Sequence, residues 1–395
     1  MAMRNWAFAN AASRDFSVRT VIVPVVGHGQ VPAQLPAAIV RLPSPAELAA
    51  TAPALLASPV WRERISLAYP LPRLATLGPA TLAEAVVQAA GTAPGTPVHV
   101  ARSYLAPLGI AVAEQLGSPW LTLDLDDDDE ALAQAAGWYA EAQAYRRLVG
   151  VFAPLFDAVA VAAPGEALTI ASRHGLDPTV IPNAVSVPDH TPRAGSAPAA
   201  ERRAGHRGPT LLFVGNLTYW PNADAADRLV LDVLPRVRAL GLTGARLMLV
   251  GDTGADAGLQ ALGLEPGVTL TGFAPDLAPY YQTADVLVAP LAFGAGTRIK
   301  LLEAFARGVP VVSTSQGATG LDVTDGVQAL IADTAAEQAA AVARLMADDQ
   351  LRGRITASAR DLVRERYSHE AVLPQIREFF AAAAARPSSV AGLVD

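Results

Sequence analysis

Cysteine is missing from all 395 residues. That absence excludes disulfides and thiolate metal sites, and it suits a reducing cytoplasm. Long apolar runs are missing too. A membrane-spanning helix needs about 20 apolar residues, and the nearest approach, residues 151–164, is short and broken by Asp157. The first residues are polar and offer no apolar stretch of the kind a cleavable leader carries. Basic excess is also absent. A net charge of −7 argues against a nucleic-acid partner. What is present is apolar bulk: 51% of the residues, enough to fill one large or two medium cores.

The most informative stretch is residues 284–317, ADVLVAPLAFGAGTRIKLLEAFARGVPVVSTSQG. Residues 286–290 are apolar and β-branched, which predicts a short buried strand. Gly294 and Gly296 interrupt the pattern. A helix opens at Thr297 and stops at Gly308, with Pro310 beyond, and residues 309–314 predict the next strand. Strand, glycine loop, helix and strand within about thirty residues make a βαβ unit. Its loop falls at the carboxyl end of a strand, where such sheets bind ligands. Glycine lets backbone approach a ligand closely, and the unpaired N–H groups of a helix start favour an anion. Arg298 and Lys300 add positive charge at the end of the helix where cations oppose the dipole, so an anionic group such as a diphosphate is expected there. Helical spacing puts Ile299, Leu302, Phe305 and Ala306 on a buried face and Lys300, Glu303 and Arg307 on another. Glu303 then has two readings. It forms an exposed i,i+4 pair with Arg307, worth about 0.3–0.5 kcal/mol, or it accepts hydrogen bonds from sugar hydroxyls.

On Gly294 to Ala304, the pattern G-x-G-T-R-x-K-x-x-E-A resembles the donor motif of glycosyltransferase family 4, retaining enzymes of GT-B fold. The resemblance implies two doubly wound Rossmann-like α/β domains facing a cleft. It implies a diphosphate held by the small-residue loop and a nucleotide ribose held by Glu303. Many members carry a second glutamate eight positions earlier, where this chain has Ala295. They also place an arginine and a lysine after the first strand of the donor domain, where this chain has Asn216 and residues 219–222. Arg298 and Lys300 are therefore expected to supply the displaced positive charge. The implied activity is transfer of a hexose from a nucleotide diphosphate sugar to a saccharide or lipid-linked acceptor, in bacterial surface polysaccharide or glycoconjugate synthesis. No cofactor and no metal are implied. The implied setting is cytoplasmic, with transient inner-membrane contact if the acceptor is lipid-linked. Two alternatives stay open: a nucleotide-sugar 2-epimerase of the same fold, and a non-catalytic nucleotide- or glycan-binding relative.

The rest of the chain divides accordingly. Residues 1–190 form an acceptor-side domain whose usual first strand is not visible, since a helix over 4–14 precedes the strand at 18–26. Residues 191–208 have linker composition. Residues 209–366 form the donor domain, 367–381 a crossover helix packing on the first domain, and 382–395 a disordered tail. Residues 180–185, VIPNAV, are similar to the family's hinge turn. One long helix is expected over 130–150, and Asn222 is expected to cap a helix running through Leu240.

Candidate cleft residues follow strand ends. His28, between two glycines, is read as a loop residue or a cleft residue. His99 on the strand 97–101 is a buried imidazole or a donor-facing one. Arg102, at that strand's end, is expected to reach the cleft. Asp126 to Glu130 invite a divalent-metal reading, set against acidic capping of the following helix. Asp126 itself is a candidate to take the acceptor's proton. Asn216 is a phosphate or sugar contact or a turn residue, and Phe273 a nucleobase contact or core.

Overall fold

The computed structural model describes residues 2–23, 37–39, 71–77, 80–189, 208–293 and 298–386. His28, Gly294, Gly296 and Thr297 lie outside the described residues, as do most of the linker-like residues 191–208. The chain forms two compact units, residues 1–183 with 372–395, and residues 184–371. The division between Asn183 and Ala184 comes ahead of the linker-like segment, inside the VIPNAV turn.

Unit 1 begins with the helix Ala2–Ala12. Strands β1 (Thr20–Ile22) and β2 (Ala37–Ile39) pair in parallel. A four-stranded parallel sheet follows in the order β3 (Val98–Ala101), β4 (Leu121–Asp124), β5 (Ala158–Val161) and β6 (Thr179–Val180). β4 is buried along its length, as a parallel strand covered on both faces should be. The expected helix over 130–150 is two helices, Asp129–Ala135 and Tyr139–Phe152. Gly137, at φ 76°, separates them. Its N–H bonds to Gln134 and that of Trp138 to Ala133, a Schellman stop that apolar spacing alone does not reveal. The helix His369–Ala384 passes from unit 2 into unit 1 at Val372. There Phe379 and Phe380 pack on Phe8 at 6.2 and 6.0 Å between ring centroids. Helix therefore continues to Ala384, past residue 382 where the tail was expected to begin.

Unit 2 holds β7 (Thr210–Val214), β8 (Arg246–Val250), β9 (Val268–Leu270), β10 (Val286–Ala289), β11 (Val311–Ser313) and β12 (Leu330–Ile331). All pair in parallel, in the order β12-β11-β10-β7-β8-β9. Chain order thus reverses between β7 and β10. In a doubly wound sheet, the crevice beyond the carboxyl ends of that strand pair is where ligands bind. Topology therefore brings residues 215–222 beside residues 291–293 and 298–300.

The helix after β10, Ile299–Ala306, is buried nearly all round. Leu301 to Ala306 are all covered, and Glu303 is only 8% exposed. It lies between β10 and β11 on one side and the helix Asp349–Leu362 on the other, so a two-faced helix was the wrong expectation.

Candidate functional site

At the β7/β10 crevice, the chain leaves β7 through Gly215. Asn216 Oδ1 accepts from Thr218 N at 3.1 Å and from Thr218 Oγ1 at 2.9 Å. This is an Asx-type turn, which occupies the Asn216 side chain locally. The next helix, Trp220–Arg228, starts with Tyr219 at its N-cap and Pro221 in its first turn. Asn222 is therefore inside the helix and does not cap it. Its Nδ2 instead donates to Asn216 O at 2.8 Å, and its Oδ1 accepts from Lys300 Nζ at 2.7 Å.

The Lys300 ammonium also lies 4.0 Å from the centroid of the Phe213 ring. Burial, then the neighbouring Arg298, holds its pKa well below the usual lysine range. Arg298 is the N-cap of Ile299–Ala306, and its own side chain makes no cap bond. Its guanidinium donates to Gln316 O at 3.4 Å. One turn in, Glu303 Oε2 accepts from Tyr281 Oη at 3.1 Å, and Oε1 lies 3.9 Å from Arg307. Burial raises the Glu303 carboxyl, opposed by Arg307 and the Tyr281 hydroxyl. The pair with Arg307 exists, but Glu303 is enclosed and not on an exposed face. Phe273, past the end of β9, is 70% exposed, which excludes a core role.

Crowding at the strand ends is severe. Gly251, at φ 155°, follows β8, and a Cβ there would lie 1.7 Å from Gly215 O. Only glycine lets these two loops meet. A cavity of about 150 Å³ lies beyond β10 and β11, bordered by Leu291, Thr314, Asp333 and Gln338. None of Arg298, Lys300 and Glu303 lines it.

Unit 1 has its own concentration of charge at the ends of β3 and β4. Arg102 at φ 85° and Asp126 at φ 60° are the two non-glycine residues with positive φ among the described residues. Such strain gathers at functional sites when its surroundings enforce it. Arg102 spans three carboxylates: Asp126 at 3.2 Å, Asp127 at 2.7 Å and Asp129 at 3.3 Å. Ser103 Oγ donates to Asp129 at 2.5 Å. Burial nonetheless pushes Asp129 up to about 6, with Arg102 opposing. Arg4, from the first helix, binds Asp124 through both Nε and Nη2 at 2.7 Å, donates to Ile181 O at 2.6 Å, and lies 3.6 Å from Asp126.

The acidic run is thus tied up by protein groups. Asp128 accepts from Ala131 N at 2.9 Å as a helix cap, and Glu130 pairs with Arg146 at 2.5 Å and Arg173 at 3.1 Å. Asp126, enclosed between two guanidiniums, is not the free carboxylate that a general base requires. His99 is a packing residue. Its ring stacks on Phe8 at 4.7 Å and 9°, and Nδ1 meets Thr122 Oγ1 at 2.9 Å. Burial and Arg4 push it down to about 3.

Sequence reasoning missed Arg4, Asp124 and Tyr281, and it gave Asn222 a capping role. For Arg4 a signal existed, a lone charge in the otherwise uncharged helix AMRNWAFANAA. The others depend on tertiary partners.

Residues 208–348 match the family model described as Glycosyl transferases group 1. The chain is 33% identical over 224 residues to a phosphatidyl-myo-inositol mannosyltransferase of Mycobacterium leprae, covering 55% of this chain and 56% of that protein. It is 32% identical over 217 residues to a D-inositol 3-phosphate glycosyltransferase of Geodermatophilus obscurus, covering 49% and 46%. The matched region is thus about half the length of these curated relatives. Among solved structures, Anabaena Alr3699/HepE in complex with UDP and glucose is similar at a TM-score of 0.67 and 16% identity, over 96% of this chain and 95% of that one. Sucrose-phosphate synthase from Thermosynechococcus elongatus is similar at 0.62 and 21%, over 78% and 80%. At such identities the likeness is one of fold: a two-domain, Rossmann-like α/β architecture of the GT-B type.

Proposed function

We propose that this chain is a retaining glycosyltransferase that moves a hexose from a nucleotide diphosphate sugar to a saccharide or lipid-linked acceptor. The observation that carries the proposal is the convergence of Arg298, Lys300 and Glu303 on one helix start at the β7/β10 reversal. Breaking the donor's anomeric bond puts negative charge on the departing diphosphate. Arg298, Lys300 and the backbone N–H groups at the helix start meet that charge, which lowers the barrier where the charge develops. Glu303 accepts the ribose hydroxyls while the Tyr281 hydroxyl holds Oε2 in place. The exposed ring of Phe273 offers a face to the nucleobase.

No acid–base step is assigned to Asp126, because Arg102 and Arg4 hold its carboxylate. The chemistry needs no metal, since charge on the leaving group is met by side chains. Relatives whose names include inositol lipid and inositol phosphate substrates support an acceptor carrying several hydroxyls, used in bacterial surface polysaccharide or glycoconjugate synthesis. Among the described residues no helix is long and apolar enough to cross a membrane, so a lipid-linked acceptor would be met by transient contact with the inner membrane.

A thermal-shift series with UDP, GDP, ADP and TDP tests the reading. A ligand that binds only the folded state raises Tm by mass action. One diphosphate should raise Tm, and Glu303→Ala should abolish the rise. No rise with any of the four overturns the proposal.

A further inference from the structure

Of the 30 lysine and arginine residues in this chain, only Lys300 is lysine. It stands in the crevice read above as the donor site. We propose that Asn222 is a positioning residue for this sole lysine, holding its ammonium where the donor diphosphate arrives; the proposal rests on that donor-site reading.

Four observations converge on Asn222. First, its amide orientation is determined by its neighbours. A carbonyl can only accept and an ammonium can only donate, so Nδ2 must face Asn216 O at 2.8 Å and Oδ1 must face Lys300 Nζ at 2.7 Å. Second, Asn222 Oδ1 is the hydrogen-bond acceptor recorded for Lys300 among the described residues, and the ring of Phe213 supports the same ammonium at 4.0 Å. An ammonium has three donors, which leaves two for a ligand. Third, space for the amide is kept open. A Cβ on Gly215 would lie 2.9 Å from the Asn222 side-chain amide. Fourth, Asn222 joins the two loops of the crevice, since one side chain ties the turn after β7 to the helix after β10.

The choice of an amide has a chemical consequence. Burial and Arg298 press Lys300 toward its neutral form. An amide oxygen favours the ammonium while leaving its full charge for an incoming anion. A carboxylate at the same place would favour the ammonium more strongly and cancel that charge. Arginine at 300 would present a planar fork of fixed geometry in place of a compact charge that one acceptor can aim.

The experiment uses the full chain, titrated with UDP, GDP, ADP and TDP, and with the four matching nucleosides as controls that lack the diphosphate. Asn222→Ala should weaken binding of the preferred diphosphate about ten-fold and leave the nucleoside within two-fold. Asn222→Asp, nearly the same shape, should weaken it at least as much. In a Lys300→Ala background, Asn222→Ala should have no further effect. An equal loss in both backgrounds would mean that Asn222 acts through the Asn216 turn alone, and would overturn the proposal.

A second readout needs no ligand. Isotopic lysine labels one side chain in this protein, so its ammonium titration can be followed by NMR. The midpoint should rise in Asn222→Asp and fall in Asn222→Ala, and an unmoved midpoint refutes the pairing. If Lys300→Ala weakens diphosphate binding while Asn222→Ala does not, the positioning role fails and the donor site stands. If the wild-type chain binds none of the four diphosphates, the donor reading fails and the proposal falls with it.

Discussion

Removing the guanidinium of Arg4 should unseat unit 1 in a way that pH partly reverses. Arg4 is 1% exposed and Asp124 is fully buried. Two parallel bonds of 2.7 Å join them, with a third from Arg4 to Ile181 O at 2.6 Å. Arg4→Met keeps much of the apolar volume and leaves the carboxylate of Asp124 uncompensated. Losing one partner of a buried pair costs about 3–5 kcal/mol. Burial already raises the Asp124 carboxyl, and Arg4 opposes that rise. Without Arg4 the folded-state pKa climbs further above the unfolded value. The folded variant then binds a proton that the unfolded chain does not, so its deficit is largest above the raised pKa and shrinks as pH falls toward 3.8. Urea unfolding at pH 8 and pH 5, followed by near-ultraviolet circular dichroism, measures both effects. Arg4→Met/Asp124→Leu, which removes both charges, should recover most of the loss. A single variant that costs under about 1 kcal/mol, or a double variant no better than the single, would refute the reasoning.

Glu303→Gln keeps the shape and the acceptor for Tyr281 but halves the carboxylate's capacity for hydroxyls. Nucleoside diphosphate affinity should drop at least ten-fold in calorimetry, and unchanged affinity would remove Glu303 from the ribose site. His99 predicts a pH slope. Its folded pKa of about 3 lies below the unfolded 6.5, so its contribution is full above pH 6.5 and is lost at about 1.4 kcal/mol per pH unit as pH falls toward 3. Asp129, raised to about 6, acts in the opposite sense between 6 and 3.8 and is common to both proteins compared. His99→Gln should therefore show a stability slope between pH 6 and 4 that differs from wild type by close to one proton, and equal slopes would mean that His99 titrates freely. Lys300, depressed from 10.5, predicts that diphosphate affinity falls as pH rises, at a pH lower than 10.5, as the ammonium is lost. A profile identical in Lys300→Ala would contradict this. Chelation by EDTA should leave transfer within two-fold, because Asp126 to Glu130 are engaged by arginines and a helix cap; a large loss would restore the metal reading.

Local pattern was enough for elements whose signals lie within a few residues. The strand Val286–Ala289 and the stop at Gly308 follow from an apolar run and a left-handed glycine. The Schellman stop at Gly137 was missed because apolar spacing continues through it. The motif G-x-G-T-R-x-K-x-x-E-A located the charged helix start because its chemistry is contiguous in sequence.

Partner choice is a different matter. Whether Asp126 is a base or one arm of an arginine clamp depends on residue 4, more than a hundred positions away. Whether Asn222 caps a helix or aims Lys300 depends on the β7/β10 reversal, which places residues 222 and 300 within 2.7 Å of each other. The sequence by itself determined which residues carry charge and where strands end. Only the tertiary structure decided which charges remain available to a ligand, because burial and pairing are set by segments far apart in the chain.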